Sequence, residues 1–128
     1  MIEEIIEYLN VLYKNKPNRL RHVLGVRDTA LKFGEKYNLD LFKLEVAALL
    51  HDITKYYSEE ENKEVIMEYF DDWEIIFSEY NKQILHAFSA VVMAQKMYGI
   101  KDEIILGSIL NHTVGKPEMN IYEEVLFI

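Results

Sequence analysis

Four histidines and one aspartate are the residues of this sequence best suited to metal chemistry. The histidines are His22, His51, His86 and His112, and Asp52 directly follows His51. Imidazole and carboxylate groups bind iron, manganese, zinc and similar ions, and a carboxylate can bridge two of them. Because the chain contains no cysteine, disulfides and thiolate metal sites are excluded. A transition-metal site must therefore use His, Asp and Glu.

The segment that leads into His51 and Asp52 carries the strongest signal. Alanines and leucines fill residues 47–50 directly before the pair. An aspartate is costly to bury unless it is paired or coordinates a metal. Any one of the four histidines, taken singly, is better explained as a hydrogen-bonded core or boundary residue. Their joint placement, one on each of four predicted helices with an acid beside the most buried one, favours metal binding.

The elements that would position these residues are helices, since apolar residues recur at helical spacing along nearly the whole chain. The first predicted helix covers 2–12 and is stopped by Pro17, and Asn18 is a candidate N-cap for the next. Residues 71–80 fit either a short helix or a packed loop, and 113–117 form a turn-rich loop. The other predicted helices cover 18–38, 41–53 after Asp40, 58–69 with a Ser58–Glu61 capping box, 82–98 before Gly99, 102–112, and 121–128 after an Asn120–Glu123 capping box.

Length and composition predict one compact all-α domain over 1–128, with an N-terminal helix in 1–17 and a metal-binding core in 18–128. The net charge of −8 argues against binding to a nucleic-acid polymer. A small anionic ligand stays compatible, because a metal ion and a few basic residues can reverse the local field. No apolar run reaches transmembrane length, and the acidic N-terminus is unlike a signal peptide. These features favour a cytoplasmic protein that binds no membrane.

The order of these residues resembles that of a known family. Arg21-His22, His51-Asp52, His86 and His112 resemble the H…HD…H…H…D order of the HD-domain metal phosphohydrolases. Residues 19–26, 49–55 and 112–119 resemble motifs of the YqeK-type branch, the last being an HTxG(R/K)PxM loop. The resemblance runs from about residue 19 to the last residue. It implies an HD-domain helical bundle of about six or seven helices.

The resemblance also implies a reaction and a ligand set. Members of that branch are symmetrical bis(5′-nucleosyl)-tetraphosphatases, which hydrolyse diadenosine tetraphosphate to two ADP with a two-metal, typically di-iron, site. His22, His51 and Asp52 would hold one divalent metal, and Asp52 would bridge to the second, held by His86 and His112. A metal-activated water would attack the phosphate. Iron is the implied metal, while manganese, cobalt, nickel and zinc also suit these ligands.

Substrate-binding residues are expected around the metals. The resemblance places Lys55 near the phosphates, in a catalytic role beside Asp52, and the loop over 113–119 above the substrate. The lysines could equally be solvated surface residues, and Arg19 is a weaker candidate for phosphate binding. The candidate substrate-binding residues are Arg19, Lys55, Thr113, Gly115 and Lys116.

The sequence departs from the family pattern in two places. Residues 86–90 read His-Ala-Phe-Ser-Ala, where the family has roughly His-Gly-x-x-Gly/Ala. The family's last motif, Ala-Asp-x-Ile-Glu-Pro, supplies a further metal-ligand aspartate and would follow Ile128, where the apolar pattern has no stop signal. We therefore expect that the C-terminal part of the family fold is missing and that this form is impaired.

Two other functions stay open. One is a non-catalytic metal- or nucleotide-sensing HD module, which the absent aspartate would suit. The other is a nucleotidase or phosphodiesterase of the wider HD superfamily. The expected partner is a dinucleoside polyphosphate or another nucleotide. The sequence leaves the oligomeric state open, and a homodimer is compatible with it.

Overall fold

The computed structural model describes residues 1–116 and 118–127, so Pro117 and Ile128 lie outside the described residues. Within this part the chain forms helices and no strand, which confirms the all-α prediction. There are eight helices in it, because residues 71–80 include a further short one, α5. The helices are α1 (Ile2–Leu12), α2 (Pro17–Lys36), α3 (Leu41–Leu50), α4 (Glu59–Tyr69), α5 (Trp73–Glu79), α6 (Leu85–Tyr98), α7 (Glu103–Val114) and α8 (Ile121–Leu126).

Most helix ends follow local signals in the sequence. The Asp40 side chain accepts a hydrogen bond from the backbone of Lys43, and both capping boxes form at the starts of α4 and α8. Gly99 ends α6 in the left-handed conformation, with φ 64°. The predicted cap at Asn18 is wrong, because α2 already begins at Pro17. Proline has no N–H and a preset φ, so it suits the first position of a helix.

Other predicted boundaries also shift, including the end of α2 at Lys36 and the start of α6 at Leu85. The third helix ends at Leu50, and residues 51–56 form turns instead of a further helical turn. Thr113 belongs to the end of α7 instead of to the predicted loop. The last helix ends at Leu126, since Phe127 is extended. The end of α3 matters most, because His51 is its C-cap and Asp52 lies in the turn that follows.

Helix α3 is the central element of the core. Six of its ten residues are buried, so it carries apolar side chains around most of its circumference, as a buried helix must. It packs against α1, α2 and α7. Ile5, Leu9 and Tyr13 of the N-terminal segment belong to the same buried cluster. This packing places the end of α3, and with it the His51–Asp52 pair, inside the bundle.

A second, smaller apolar cluster packs α4 and α5 against α6. Its buried members are Ile66, Ile76, Leu85 and Phe88, and Trp73 packs against them. Trp73 and Phe88 are therefore aromatic residues of the core. The cluster positions the first turn of α6, which carries His86. Among the described residues, no helix has the length and apolar character needed to cross a membrane.

Candidate metal centre

The five predicted metal ligands come from four different helices and meet at one place. His22 lies on α2, His86 in the first turn of α6, and His112 near the end of α7. His51 is the C-cap of α3, and Asp52 follows in the turn. The five residues converge because α3 and α6 both pack on α7, and α2 packs on α3. All except His22 are buried.

Three histidine rings are oriented by their own helices. Nδ1 of His51 lies 2.5 Å from the carbonyl oxygen of Ala48, and Nδ1 of His86 lies 2.8 Å from that of Gln83. His112 makes the same type of contact with the carbonyl of Ile109. A carbonyl only accepts, so each Nδ1 carries the hydrogen and donates it. Each Nε2 is therefore left with a free lone pair, which is the form of imidazole that binds a metal.

These Nε2 atoms surround the carboxylate of Asp52. Oδ1 of Asp52 lies 3.6 Å from Nε2 of His86 and 3.8 Å from Nε2 of His112. Oδ2 lies 3.5 Å from Nε2 of His51. Such spacings are too long for hydrogen bonds. They suit ligand atoms around a shared ion, since atoms bound at about 2.0–2.2 Å from zinc lie roughly 3–4 Å from one another.

Two buried nitrogens at the centre lack a protein partner. Within the described part of the chain, Nε2 of His51 and Nε2 of His112 are buried and make no hydrogen bond. A buried polar atom without a partner costs about 1–3 kcal/mol. Divalent cations bound between these lone pairs and the Asp52 carboxylate, one on each side of Asp52, would satisfy both nitrogens. The donor set therefore fits a bound metal.

The possible ligand atoms divide into two groups that share one residue. Those of His22, His51 and Asp52 lie within 4.8 Å of one another, and so do those of Asp52, His86 and His112. Each Asp52 oxygen faces a different group. This arrangement is the one expected of a carboxylate that bridges two ions. We call the first group the exposed half and the second the buried half of the centre.

The protein environment favours the protonation states that bind metals. Burial raises the pKa of Asp52, but the imidazoles of His86, His51 and His112 outweigh it and hold that pKa below its usual range. Burial lowers the pKa of His51. Burial and repulsion from His51 lower the pKa of His112 to about 4. At neutral pH the site therefore presents an ionised Asp52 carboxylate and neutral imidazoles at His51 and His112, as metal coordination requires.

Arg19 and Tyr13 hold Asp52 from the side of α2 and α1. Nη1 of Arg19 lies 3.0 Å from Oδ2 of Asp52, so this predicted phosphate-binding residue is paired with the shared carboxylate. The hydroxyl of Tyr13 donates a hydrogen bond of 2.9 Å to the backbone oxygen of Asp52. Both contacts restrict the position of the residue that the two halves have in common.

Lys55 lies beside the buried half. Its backbone N–H closes a turn onto the carbonyl oxygen of Asp52 at 2.9 Å, while the residue itself is exposed. It lines a pocket of about 320 Å³ together with His86. The predicted phosphate-binding lysine thus lies beside His86, a candidate metal ligand, and is exposed.

The candidate residues after His112 are placed differently from one another. Oγ1 of Thr113 is buried without a hydrogen-bond partner in the described part of the chain. Gly115 has φ 72°, and a Cβ there would lie 2.9 Å from the Phe127 ring, so only glycine fits. Nζ of Lys116 lies 3.1 Å from Oε1 of Glu123. The predicted loop includes Pro117, which lies outside the described residues.

Several residues near the centre were not singled out from the sequence. Ser89, Thr54 and Asn62 form a buried hydrogen-bonded group against the backbone of His86. Glu123 was predicted only as a capping residue, yet it is buried and also accepts a hydrogen bond from Asn111. Small polar residues in an apolar segment, such as Ser89 in α6, are the signal that could have indicated such a group.

Comparison with known proteins identifies relatives. The model of the HD domain family matches residues 19–128. The chain is 33% identical over 111 residues to the symmetrical bis(5′-nucleosyl)-tetraphosphatase of Halalkalibacterium halodurans, covering 87% of this chain and 58% of that protein. It is 34% identical over 125 residues to the protein of the same name from Staphylococcus aureus, covering 96% of this chain and 63% of the relative. The chain thus spans about three-fifths of the length of these relatives.

A solved structure shares the fold. The crystal structure of a predicted HD superfamily hydrolase involved in NAD metabolism, from Clostridium acetobutylicum, superposes with a TM-score of 0.85 at 32% identity. The superposition covers 99% of this chain and 66% of that one. The predicted HD-type helical fold is therefore confirmed.

Proposed function

Because this chain belongs to the HD domain family, we propose that it hydrolyses symmetrical dinucleoside tetraphosphates, such as diadenosine tetraphosphate. The observation that carries the proposal is the Asp52 carboxylate, whose two oxygens face two different histidine groups. Water would add to an inner phosphorus and break the central phosphoanhydride bond, so one substrate and one water give two ADP. The tetraphosphatase name of the relatives supports this substrate class.

Two divalent metals, iron by the resemblance and otherwise manganese, cobalt, nickel or zinc, are the proposed cofactors. His22, His51 and Asp52 would hold one, and Asp52, His86 and His112 the other. When bound, such a pair lowers the pKa of a water and neutralises the charge of phosphate oxygens. The ring orientations of His51, His86 and His112 support this assignment, since the Nδ1 contact of each leaves Nε2 free to bind a metal.

The remaining proposed roles belong to charged and loop residues. Lys55 would contact a phosphate oxygen as a point charge, since it is exposed beside His86. Arg19 would hold the Asp52 carboxylate in place through Nη1. Thr113, with its buried and unpartnered hydroxyl, and Gly115 would shape the wall next to His112. Lys116 would need to separate from Glu123 before it could bind substrate.

The organisation of the chain stays a prediction in three respects. We propose that residues 1–17 form an N-terminal helix that completes the core in 18–128, because α1 contributes Ile5 and Leu9 to the cluster around α3. A cytoplasmic location is expected. Size-exclusion chromatography would show whether the chain forms a homodimer.

Hydrolysis assays test the proposed function. The chain loaded with Fe²⁺ or Mn²⁺ should release two ADP from each diadenosine tetraphosphate, and His51→Ala should abolish the release. Lys32→Gln, at an exposed position on α2, should leave it unchanged. Hydrolysis retained by His51→Ala would contradict the metal assignment. Faster turnover of nucleoside monophosphates or phosphodiesters would instead favour another HD-superfamily activity.

A further inference from the structure

The pocket beside His86 contains a buried polar residue that the proposed reaction does not use. Asn62, in the first turn of α4, is one of the residues that line this pocket, yet the residue is only 4% exposed. Burying an amide group without a hydrogen bond is costly. The groups of Asn62 that already have protein partners therefore show which of its groups are left to bind a ligand.

One end of the Asn62 amide is held by the protein. Oδ1 of Asn62 lies 2.6 Å from Oγ of Ser89, which donates to it. Oγ of Ser89 also lies 2.8 Å from Oγ1 of Thr54, which lies 2.6 Å from the backbone oxygen of His86. Because the hydrogen of Ser89 goes to Asn62, the single hydroxyl hydrogen of Thr54 is shared between Ser89 and the His86 carbonyl. Asn62 is thereby tied to the backbone of a metal-ligating residue. Because all three side chains are buried, the amide has little freedom to turn.

The other end of the amide has no hydrogen-bond partner among the described residues. Within the described residues, the NH₂ group of Asn62 has no hydrogen-bond acceptor, while its oxygen is occupied by Ser89. Asn62 thus offers donors and no free acceptor. A donor fixed by buried neighbours selects a ligand that carries an acceptor, such as a phosphate oxygen.

The charges around the pocket favour an anion. Lys55 and Lys82 are exposed and line it. Glu59 also lines it, but its carboxylate is 3.1 Å from Nζ of Lys63. The chain as a whole carries a net charge of −8, so a pocket with two lysines departs from the general character of the surface. A local cluster of this kind raises the local concentration of anionic ligands.

We propose that this pocket binds a phosphate group of a nucleoside diphosphate, with Asn62 as a specificity-determining donor and Lys55 and Lys82 as charge partners. The assignment rests on the proposed function, since the phosphate would belong to the half of the substrate that lies on the side of His86. Ser89 is a positioning residue, because it holds the amide through its oxygen.

Binding of ADP to the Mn²⁺-loaded chain, measured by calorimetry, tests this assignment. Asn62→Asp keeps an oxygen for Ser89 but replaces the donor with a negative charge. We expect it to raise the dissociation constant of ADP by about 10- to 100-fold, the size of a lost hydrogen bond to a charged group. The metal content per chain should stay unchanged, which separates this effect from a damaged metal centre.

A matched pair of lysine variants keeps the test independent of the buried network. Lys82→Gln should weaken ADP binding by up to about fivefold, as an exposed charge partner does. Lys32→Gln removes the same charge from an exposed position outside the pocket and should have no effect. If Asn62→Asp lowers the melting temperature strongly, the comparison of Lys82→Gln with Lys32→Gln tests whether the pocket binds ADP.

The outcomes separate this inference from the proposed function. Unchanged ADP binding in folded Asn62→Asp, equal affinities of the two lysine variants, or no ADP binding to the wild-type chain would each overturn the inference. Loss of binding in the variants together with no hydrolysis of diadenosine tetraphosphate by the wild-type chain would support the pocket and contradict the proposed function.

Discussion

The two halves of the candidate metal centre share Asp52 but are built differently. In the buried half, His86 and His112 are enclosed, and a backbone carbonyl three residues earlier in the sequence orients each ring. In the exposed half, His51 is enclosed in the same way, whereas His22 is exposed on α2 beside a pocket of about 430 Å³. The difference indicates that the buried half is organised before a metal binds. The exposed half must order one side chain when it binds, at a cost of conformational entropy.

Removal of the shared carboxylate should have the largest effect, because it affects both halves. Asp52→Asn keeps the shape of the side chain but removes the negative charge that faces all three buried histidines. We expect the metal content to fall from two ions per chain towards none, and hydrolysis to fall at least about 1,000-fold. Elemental analysis and an ADP-release assay measure the two effects. One ion retained at full occupancy would show that the halves are independent.

Truncation of one histidine from each half should distinguish them by stability. His112→Ala removes a fully buried ring and should lower the free energy of unfolding of the metal-free chain by about 2 kcal/mol. His22→Ala removes an exposed ring and should change it by less than about 0.5 kcal/mol. Each variant should still lose one metal ion. Urea denaturation in the presence of a chelator gives the two free energies, and equal values would contradict the contrast in burial.

Glu123 links α8 to α7, and α8 forms part of the wall next to His22. Its carboxylate accepts hydrogen bonds from Asn111 and Asn120 and is paired with Lys116. Val125 and Leu126 of α8 line the pocket that contains His22. Glu123→Gln should therefore destabilise the chain by about 1–2 kcal/mol, and it should weaken metal binding in the exposed half more than in the buried half. An equal loss of affinity in both halves would contradict this link.

The effect of Glu123 should also depend on pH. Burial raises the pKa of Glu123, but the hydrogen bonds from Asn120, Lys116 and Asn111 outweigh it, so the pKa is lowered in the folded chain. A lowered pKa means that the ionised group stabilises the fold fully above its ordinary pKa and loses this effect as the pH falls through the folded pKa. The difference in unfolding free energy between the wild-type chain and Glu123→Gln should therefore shrink as the pH falls from neutral to about 3. If the difference in unfolding free energy stays constant over this pH range, the negative charge of Glu123 does not contribute to stability.

The smallest expected effect concerns the helix that carries His22. A Cβ at Gly25 would meet no atom within 4 Å, so Gly25→Ala should stabilise α2 by about 0.5–1 kcal/mol. Gly34 lies on the same helix, but a Cβ there would lie 2.6 Å from Cδ1 of Leu44, so Gly34→Ala should destabilise. Thermal denaturation measures the change in stability of both variants.

The Gly25→Ala variant also tests where substrate enters. Because Gly25 lines the pocket next to His22, a higher KM in this variant would show that substrate enters from the exposed half.

The helices could be predicted largely from the sequence, because helix periodicity and capping depend on neighbouring residues. The capping boxes of Ser58 and Asn120 and the stop at Gly99 are examples. The error at Asn18 had a local cause as well, since Pro17 competes for the start of the same helix. Residues 71–80 stayed ambiguous because α5 has only seven residues and is stabilised by packing against α4 and α6.

The choice of the five candidate metal ligands also came from the sequence alone. His22, His51, Asp52, His86 and His112 were selected by residue type, by their separate helices and by the order of motifs. The structure brings all of them together. Their roles as ligands stay proposals until metal binding is measured.

Only the tertiary structure decided how these residues are arranged around Asp52. It directs one carboxylate oxygen to His51 and Arg19 and the other to His86 and His112. It pairs Lys116 with Glu123 and fixes Asn62 through Ser89. The candidate ligands and the positions of the helices can be predicted from local patterns in the sequence. These contacts join different helices or cross a turn, so they depend on the packing of whole helices, which no local pattern encodes.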